Sequence, residues 1–206
     1  MGIGRIKNNY NKLSSIIDGS VTKIYKSDFG NVIYIKPFKF YQSLELLSVE
    51  LPHDIGYIGQ AAFMNCQKLN SINLEDTKIT SMNQQTFNAC LLLTSIKFPN
   101  TMTQTGTFSS TSYAPFSGCR GLQTIDVNSE CVTIRANSFY IGATSVLTGI
   151  YIRATTPPSL LDVNAFASTN DCPIYVPRDS LATYQSATNW SSSTNNIVTR
   201  LTAYDF

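Results

Sequence analysis

Apolar residues recur along this chain in a pattern that returns about every two dozen positions. The clearest copies are FMNCQKLNSINL at 63–74, FNACLLLTSIKF at 87–98 and FSGCRGLQTIDV at 116–127. Each copy reads Phe, two residues, Cys, two residues, Leu, two residues, and then an apolar, a variable and an apolar position. The final alternation predicts a short strand with one buried face, and a repeat of this length predicts stacked coils.

Weaker copies extend the pattern in both directions and give six units. Neighbouring units are about two dozen positions apart, with one longer step between Ile96 and Ile125, and their central strand residues are Val49, Ile72, Ile96, Ile125, Ile150 and Ile174. Leucine-rich repeats have spacings of roughly 20 to 29 residues. The sequence therefore predicts a leucine-rich-repeat solenoid, a strand-rich α/β fold of about six coils, in which Phe, Cys, Leu and Ile stack into inward-facing ladders.

A second apolar pair stands eight and five residues before most of the Phe positions. The pairs are Val32 and Ile35, Ile55 and Ile58, Ile79 and Met82, and Cys131 and Ile134. No such pair precedes Phe116 at that spacing, and the polar segment 101–115 accounts for the longer step. We expect this segment to be a loop that bulges from its coil, where repeat insertions often carry function.

Both ends of the chain have features of caps, which a solenoid needs to cover its terminal apolar faces. Leu13, Ile16 and Ile17 share one face of a predicted helix that ends at Gly19. The sequence predicts a single structural domain with an N-terminal cap over 1–29, a solenoid over 30–177 and a C-terminal cap over 178–206.

The C-terminal cap is predicted to begin where Pro177 ends the last strand. Asp179 or Ser180 can then cap a short helix. We expect three apolar residues to fold back over the final coil: Trp190, Ile197 and Leu201.

Composition narrows the classes of partner. Charged residues make up only 14% of the chain, against about 25% in a typical globular protein, and the net charge of +2 is spread without a basic run. We therefore expect no nucleic-acid partner.

No apolar segment approaches the roughly 20 residues of a membrane span, and no stretch of signal-peptide length follows Arg5 and Lys7. Localisation is left open, with cell-surface and phage-associated settings both possible.

The five cysteines do not predict a metal or any other cofactor. Cys66, Cys90 and Cys119 share the inward phase of the repeat, where a thiol behaves as a small apolar side chain. The other two are Cys131 and Cys172. Because the chain has no CxxC pair and no histidine-containing cluster, we expect free thiols rather than a zinc site or a disulfide between Cys66 and Cys90.

The sequence contains no arrangement of residues typical of a catalytic site. His53 is the only histidine, and no nucleophile motif such as GxSxG accompanies it. Glu50 and Asp126 are outward carboxylates three coils apart, which is roughly 14 Å and beyond the roughly 6.5 to 9.5 Å of an inverting glycosidase pair. The sequence therefore predicts a protein without enzymatic activity.

The outward strand positions form the candidate binding surface. In chain order they are Glu50, Asn73, Lys97, Asp126, Tyr151 and Tyr175. Lys97 and Asp126 should be neighbours that can pair across coils, and Tyr151 and Tyr175 should form an aromatic patch. Our hypothesis is that this patch, together with the 101–115 loop, binds a protein or glycan partner. Asn73, Lys97 and Asp126 are further candidate contacts on the same outward strand positions. The alternative is that the two tyrosines only shield the last coils.

The repeat resembles the BspA-like leucine-rich-repeat proteins of bacteria, whose coils read close to LTSIxIPxxVTxIGxxAFxxC. The stretch IGYIGQAAFMNCQKLNSINL at 55–74 is similar to that consensus almost position for position, and 155–190 resembles the terminal unit and cap of the family. The family has no shared catalytic motif. The resemblance implies recognition or adhesion, often at a bacterial surface and sometimes in prophage-encoded proteins, with assembly as a structural component the alternative.

Overall fold

The computed structural model describes residues 20–106 and 110–206, which form stacked coils of short parallel strands. The predicted helix around Leu13, Ile16 and Ile17 lies outside the described residues. The strands are β1 Lys23–Ile24, β2 Tyr34–Ile35, β3 Ser48–Val49, β4 Tyr57–Ile58, β5 Ser71–Ile72, β6 Ser95–Lys97, β7 Thr124–Val127, β8 Thr133–Ile134, β9 Gly149–Ile152, β10 Ser159–Leu160, β11 Ile174–Pro177 and β12 Leu201–Tyr204.

The strands lie in two parallel ladders on either side of the core. The first ladder contains the sheets β1-β3-β5 and β6-β7-β9-β11-β12. It includes all six predicted strands, and β1 and β12 extend it by one strand at each end. We call its outward side the strand face. The second ladder contains β2-β4 and β8-β10, with an isolated bridge between Gln104 and Thr133.

Helices in the described residues are short. The α-helices are α1 Lys26–Phe29, α2 Leu181–Ser186 and α3 Ile197–Arg200. The 3-10 helices are Leu74–Asp76, Thr111–Tyr113, Val163–Phe166, Arg178–Ser180 and Thr194–Asn196. The predicted boundaries of the two caps stay predictions.

Phenylalanine rings stack along the core, as the repeat phase predicted. Phe40, Phe63, Phe87 and Phe116 follow one another with ring centroids 5.1, 5.5 and 6.1 Å apart, and all four side chains are buried. Offset stacking at these separations adds roughly 0.5–1.5 kcal/mol per pair to the gain from burial. Each inner ring of the stack therefore packs against the equivalent ring of the coil before it and of the coil after it.

The cysteine ladder ties each coil to the one before it. The thiol of Cys66 donates to the carbonyl of Phe40 at 3.0 Å, and Cys119 donates to the carbonyl of Phe87 at 2.9 Å. Burial raises the pKa of both thiols to about 12. All five cysteines are free and buried, so the prediction of free thiols in the core is confirmed.

The expectation for the long step was partly wrong. Met102 and Thr105 are buried and stand three residues apart, like the apolar pairs of the other coils. Thr105 fits the core because its hydroxyl lies 2.5 Å from the hydroxyl of Ser138 and accepts the N–H of Arg135. The insertion therefore begins after this pair rather than at residue 101, and the sequence pattern missed it because Thr105 is polar.

The last coil is covered by aromatic side chains. Trp190 is fully buried and donates its indole N–H to the carbonyl of Pro158 at 2.8 Å. Tyr184, on α2, is also fully buried and donates to the carbonyl of Ala154 at 2.7 Å. Both large side chains thus satisfy their polar atoms inside the core, and the expected burial of Trp190 is confirmed.

Candidate partner-binding surface

An aromatic cluster occupies the C-terminal end of the strand face. The register pairs Tyr151 of β9 with Tyr175 of β11, as predicted, and their rings stack with centroids 4.7 Å apart. Tyr204 of β12 lies 5.2 Å from Tyr175, and Phe206 lies 4.9 Å from Tyr204. We call these four residues the aromatic cluster.

Strand alternation and one glycine explain why the rings collect here. In β12 Leu201 turns inward while Tyr204 is exposed. A Cβ at Gly149, in β9, would lie 2.8 Å from the ring of Tyr175 and 3.1 Å from that of Tyr151. The two inner rings therefore lie over the bare backbone of Gly149, which a larger residue would prevent.

Tyr204 and Phe206 are the parts of this surface that sequence reasoning missed. They are 40% and 45% exposed, more than either inner ring. The signal was available, because Leu201 follows Ile174 by about one repeat length and is followed by alternating outward positions. Because the sequence predicts a cap over 178–206, the repeat pattern is not extended to this strand.

Asp126 pairs with a residue other than the expected one. The register places Lys97 beside Asp126, as predicted. The Asp126 carboxylate, however, accepts two hydrogen bonds from the guanidinium of Arg153, at 2.6 and 2.7 Å. Lys97 is exposed and forms no ion pair within the part of the chain that the structure describes. Arginine takes the carboxylate because its planar fork matches both oxygens.

Arg153 also connects this ion pair to the aromatic cluster. Its guanidinium carbon lies 4.8 Å from the centroid of the Phe206 ring, within the range of a cation–π interaction. Burial against neighbouring side chains, with Tyr175 close by, raises the pKa of Tyr151, so its hydroxyl is protonated and neutral at neutral pH. The surface thus offers apolar rings, neutral hydroxyls and a charge that is already compensated.

Asn73 lies apart from the cluster. It follows β5, in the other sheet of the first ladder, and its side chain accepts the N–H of Leu51 at 2.6 Å and donates to the Leu51 carbonyl at 3.2 Å. The structure therefore brings together Asp126, Tyr151 and Tyr175, with Lys97 at their border, but not Asn73.

Residues considered for catalysis occupy ordinary structural positions. His53 is exposed, and its Nδ1–H donates to the carbonyl of Asp76 at 2.6 Å. Over residues 20–106 and 110–206, no three His, Cys, Asp or Glu side chains lie close enough to hold a metal ion. Nor does any helix in those ranges have the length and apolar character to cross a membrane.

Stacked parallel coils with Phe, Cys and Leu ladders define a leucine-rich-repeat protein. The chain matches the BspA type leucine rich repeat region in six copies, over residues 7–140 and 107–194. Because these matches cover most of the sequence, the chain belongs to the BspA-type leucine-rich-repeat family. Comparison with curated proteins gives no match.

Solved structures with this fold come from several bacteria. A leucine rich cell surface protein from Faecalibacterium prausnitzii A2-165 is 30% identical, with a TM-score of 0.51 over 62% of this chain and 30% of that one. The T. pallidum leucine rich repeat protein is 21% identical, with a TM-score of 0.53 over 70% of this chain and 62% of its own. The pneumococcal vaccine antigen PcpA is 17% identical, with a TM-score of 0.60 over 88% of this chain and 42% of its own.

The last two likenesses show the fold alone, because both identities are low. This chain also spans less than two thirds of each of these three structures, from 30% to 62% of their length.

Proposed function

We propose that this chain is a non-enzymatic recognition module of the adhesion type, which binds a protein or glycan partner through its strand face. The observation that carries the proposal is the aromatic cluster, in which two half-exposed rings stand beside two partly covered ones. Tyrosine and phenylalanine are enriched at binding interfaces because they bury a large area at a small entropic cost. The tyrosine hydroxyls add directional hydrogen bonds.

The candidate residues have different roles in this proposal. Tyr151 and Tyr175 form a rigid base, because their rings are held against each other and over Gly149. Tyr204 and Phe206 supply the exposed contact area. Lys97 is a cation at the border that forms no ion pair among the described residues, and the carboxylate of Asp126 holds Arg153 in place. Asn73 would contact only a partner long enough to reach the other sheet.

A surface setting is supported by the likeness to the cell surface protein of Faecalibacterium prausnitzii. The strand face also suits recognition because its coils present side chains at a fixed spacing on a rigid scaffold.

The test compares binding by the native chain and by a Tyr204→Ala, Phe206→Ala double variant on a glycan array and on immobilised host matrix proteins. The matched control is Val132→Ala with Leu161→Ala, which removes two exposed apolar side chains (62% and 54% exposed) flanking the second ladder. We expect the native chain and the control to bind equally well. The cluster variant should bind at least about tenfold more weakly than either. Equal binding by all three would contradict the role of the cluster, and a native chain that binds neither panel would contradict the proposal.

A second candidate function is assembly, and the open edge of β12 favours it. Within the described residues β12 pairs only with β11, so its other edge presents unpaired main-chain groups. Elution at the mass of a single chain would exclude self-assembly, whereas a concentration-dependent larger species abolished by Ala203→Pro in the edge strand would favour it.

A further inference from the structure

The second ladder is interrupted at the coil of residues 80–84. In the preceding coil, the main-chain N–H of Gly59 donates to the carbonyl of Ile35 at 2.8 Å. Asn83 stands at the next equivalent position, but there the side-chain amide donates to the carbonyl of Ile58 at 2.6 Å. The side chain thus replaces the main-chain bond, and the strand that would continue β2 and β4 is absent from this coil.

This substitution leaves main-chain groups without partners. The N–H groups of Ser81, Met82 and Asn83 donate to no protein atom in the described ranges. Groups of this kind bind water or ligand when the surface around them is open, since unpaired polar groups are otherwise destabilising.

A hollow of about 420 Å³ lies over the interruption. Its volume falls within the roughly 300–1,000 Å³ of small-molecule sites. It is lined by Pro37, Tyr57, Gln60, Ser81, Met82, Asn83, Gln84, Gln104 and Gly106. One wall is tightly set, because a Cβ on Gly59 would collide with the backbone of Pro37.

Among residues 20–106 and 110–206, the lining contains four amide side chains and no Asp, Glu, Lys, Arg or His. Gln60 and Gln84 make no side-chain hydrogen bonds within the described ranges, so both ends of each amide are available. The oxygen of Gln104 accepts from Arg135 at 3.3 Å, which leaves its NH₂ group as the available end. Tyr57 is 45% exposed and adds an aromatic face.

We propose that this hollow is a second binding site, separate from the aromatic cluster, and that it takes a neutral saccharide unit. Amides donate and accept at once, which suits hydroxyl groups that do the same. Among the described residues no cation lines the hollow, and the guanidinium of Arg135 is already engaged with the Gln104 oxygen, so a phosphate, sulfate or carboxylate gains no direct ion pair there. The ring of Tyr57 can cover the apolar face of a sugar ring, and the unpaired N–H groups of 81–83 add donors.

An extended peptide fits these observations less well. A peptide that adds a strand needs a continuous edge of alternating donors and acceptors. Here the unpaired donors span only three residues, between coils whose ladders are already occupied. The site is a closed gap in a ladder and not an open edge.

The experiment is a titration of ¹⁵N-labelled protein with four neutral probes, N,N′-diacetylchitobiose, lactose, maltose and cellobiose, followed by amide chemical shifts. We expect at least one disaccharide to shift the N–H signals of 81–83 with saturation. Tyr57→Ala and Gln84→Ala should each weaken that binding about tenfold, the equivalent of one hydrogen bond or ring contact.

Matched controls separate the site from its surroundings. Tyr34→Ala removes the exposed tyrosine that is in register with Tyr57 but does not line the hollow, and Gln67→Ala removes an exposed amide elsewhere. Both should bind like the native chain, as should the Tyr204→Ala, Phe206→Ala variant. The proposal is overturned if no neutral disaccharide shifts these amides or if the controls weaken binding equally. Parallel titrations use a sulfated disaccharide and a threonine–valine repeat peptide, and the proposal is also overturned if only one of these shifts the amides of 81–83.

Discussion

The ring of Phe63 lies between two identical neighbours, and the Cys of the next coil donates to its carbonyl at 3.2 Å. The ring of Phe166, in the last such coil, has Phe139 on one side but Trp190 at 5.6 Å and the guanidinium of Arg200 at 5.9 Å on the other. The middle of the ladder is thus held by repetition and its end by unique side chains. In the middle, each coil needs only the same apolar side chains as its neighbours. At the end, the side chains must also supply hydrogen-bond partners that no further copy provides.

Arg200 supplies hydrogen-bond donors at the C-terminal end of the ladder. It is only 6% exposed, and its guanidinium donates to the carbonyls of Cys172 and Asn195 and to the hydroxyl of Thr169, at 2.8 to 3.0 Å. The carbonyl of Cys172 stands at the position where the carbonyls of Leu47 and Gln123 accept a main-chain N–H from the following coil. A charged side chain is stable there because its five donors meet several oxygens at once.

The largest effect is expected in the middle of the ladder. Phe63→Ala should lower the free energy of unfolding by about 4 kcal/mol, because the cavity would lie between two coils that cannot close it. Urea denaturation followed by circular dichroism measures the change. Phe38→Ala is the matched control, since Phe38 is 52% exposed and should be nearly neutral. A loss below about 1 kcal/mol for Phe63 would show that the coils relax independently.

At the closing end, Arg200→Met should lower the free energy of unfolding by about 3 kcal/mol. Methionine retains much of the apolar volume but leaves the buried carbonyl of Cys172 and the part-buried carbonyl of Asn195 without the guanidinium donors. The comparison is Arg178→Met, which removes an exposed ion pair with Asp205 and should leave the denaturation midpoint unchanged. If both variants behaved alike, the guanidinium of Arg200 would not be a structural element.

The smallest effect is expected from the buried thiols of the cysteine ladder. Burial raises the pKa of Cys66 and Cys119 to about 12, from 9.0 in the unfolded chain. Between these values the unfolded state loses the thiol proton and the folded state keeps it, so stability is full below about pH 9 and falls as pH rises towards 12.

At a pH equal to the unfolded pKa, the loss is about 0.4 kcal/mol per thiol relative to neutral pH. A Cys66→Ala, Cys119→Ala variant should lose about 0.8 kcal/mol of the stability difference between the two pH values. The rest of the difference should remain, because burial also raises the pKa of Cys90, Cys131 and Cys172. An unchanged difference would mean that other groups control the alkaline slope.

Sequence reasoning reached the fold because the same physical requirement recurs in every coil. A Phe, a Cys, a Leu and an Ile at fixed spacing must meet their own copies, so the pattern predicts both the ladders and the register that joins Tyr151 to Tyr175. The buried thiols followed from the same phase. Each of these inferences depends only on contacts between equivalent residues of adjacent coils, and the repeat itself specifies those contacts.

The candidate sites depended on contacts that no repeat specifies. Two cations were available to Asp126, and only the folded geometry favoured Arg153, whose fork reaches both oxygens across one coil. Thr105 was missed because its polarity hides a core position that Ser138, from a distant part of the chain, makes acceptable. Which of two possible partners a side chain contacts depends on the distances and angles in the folded chain.

The sequence by itself thus determined the coil, its period and the side chains that face inward, because burial of an apolar face is a property of the pattern. Only the tertiary structure decided where the pattern is interrupted. The amide of Asn83 replaces a main-chain donor and opens a hollow, and the strand from Leu201 to Tyr204 brings Phe206 against Arg153. Hydrogen bonds and ring contacts are directional, so they are fixed when the coils are assembled and not before.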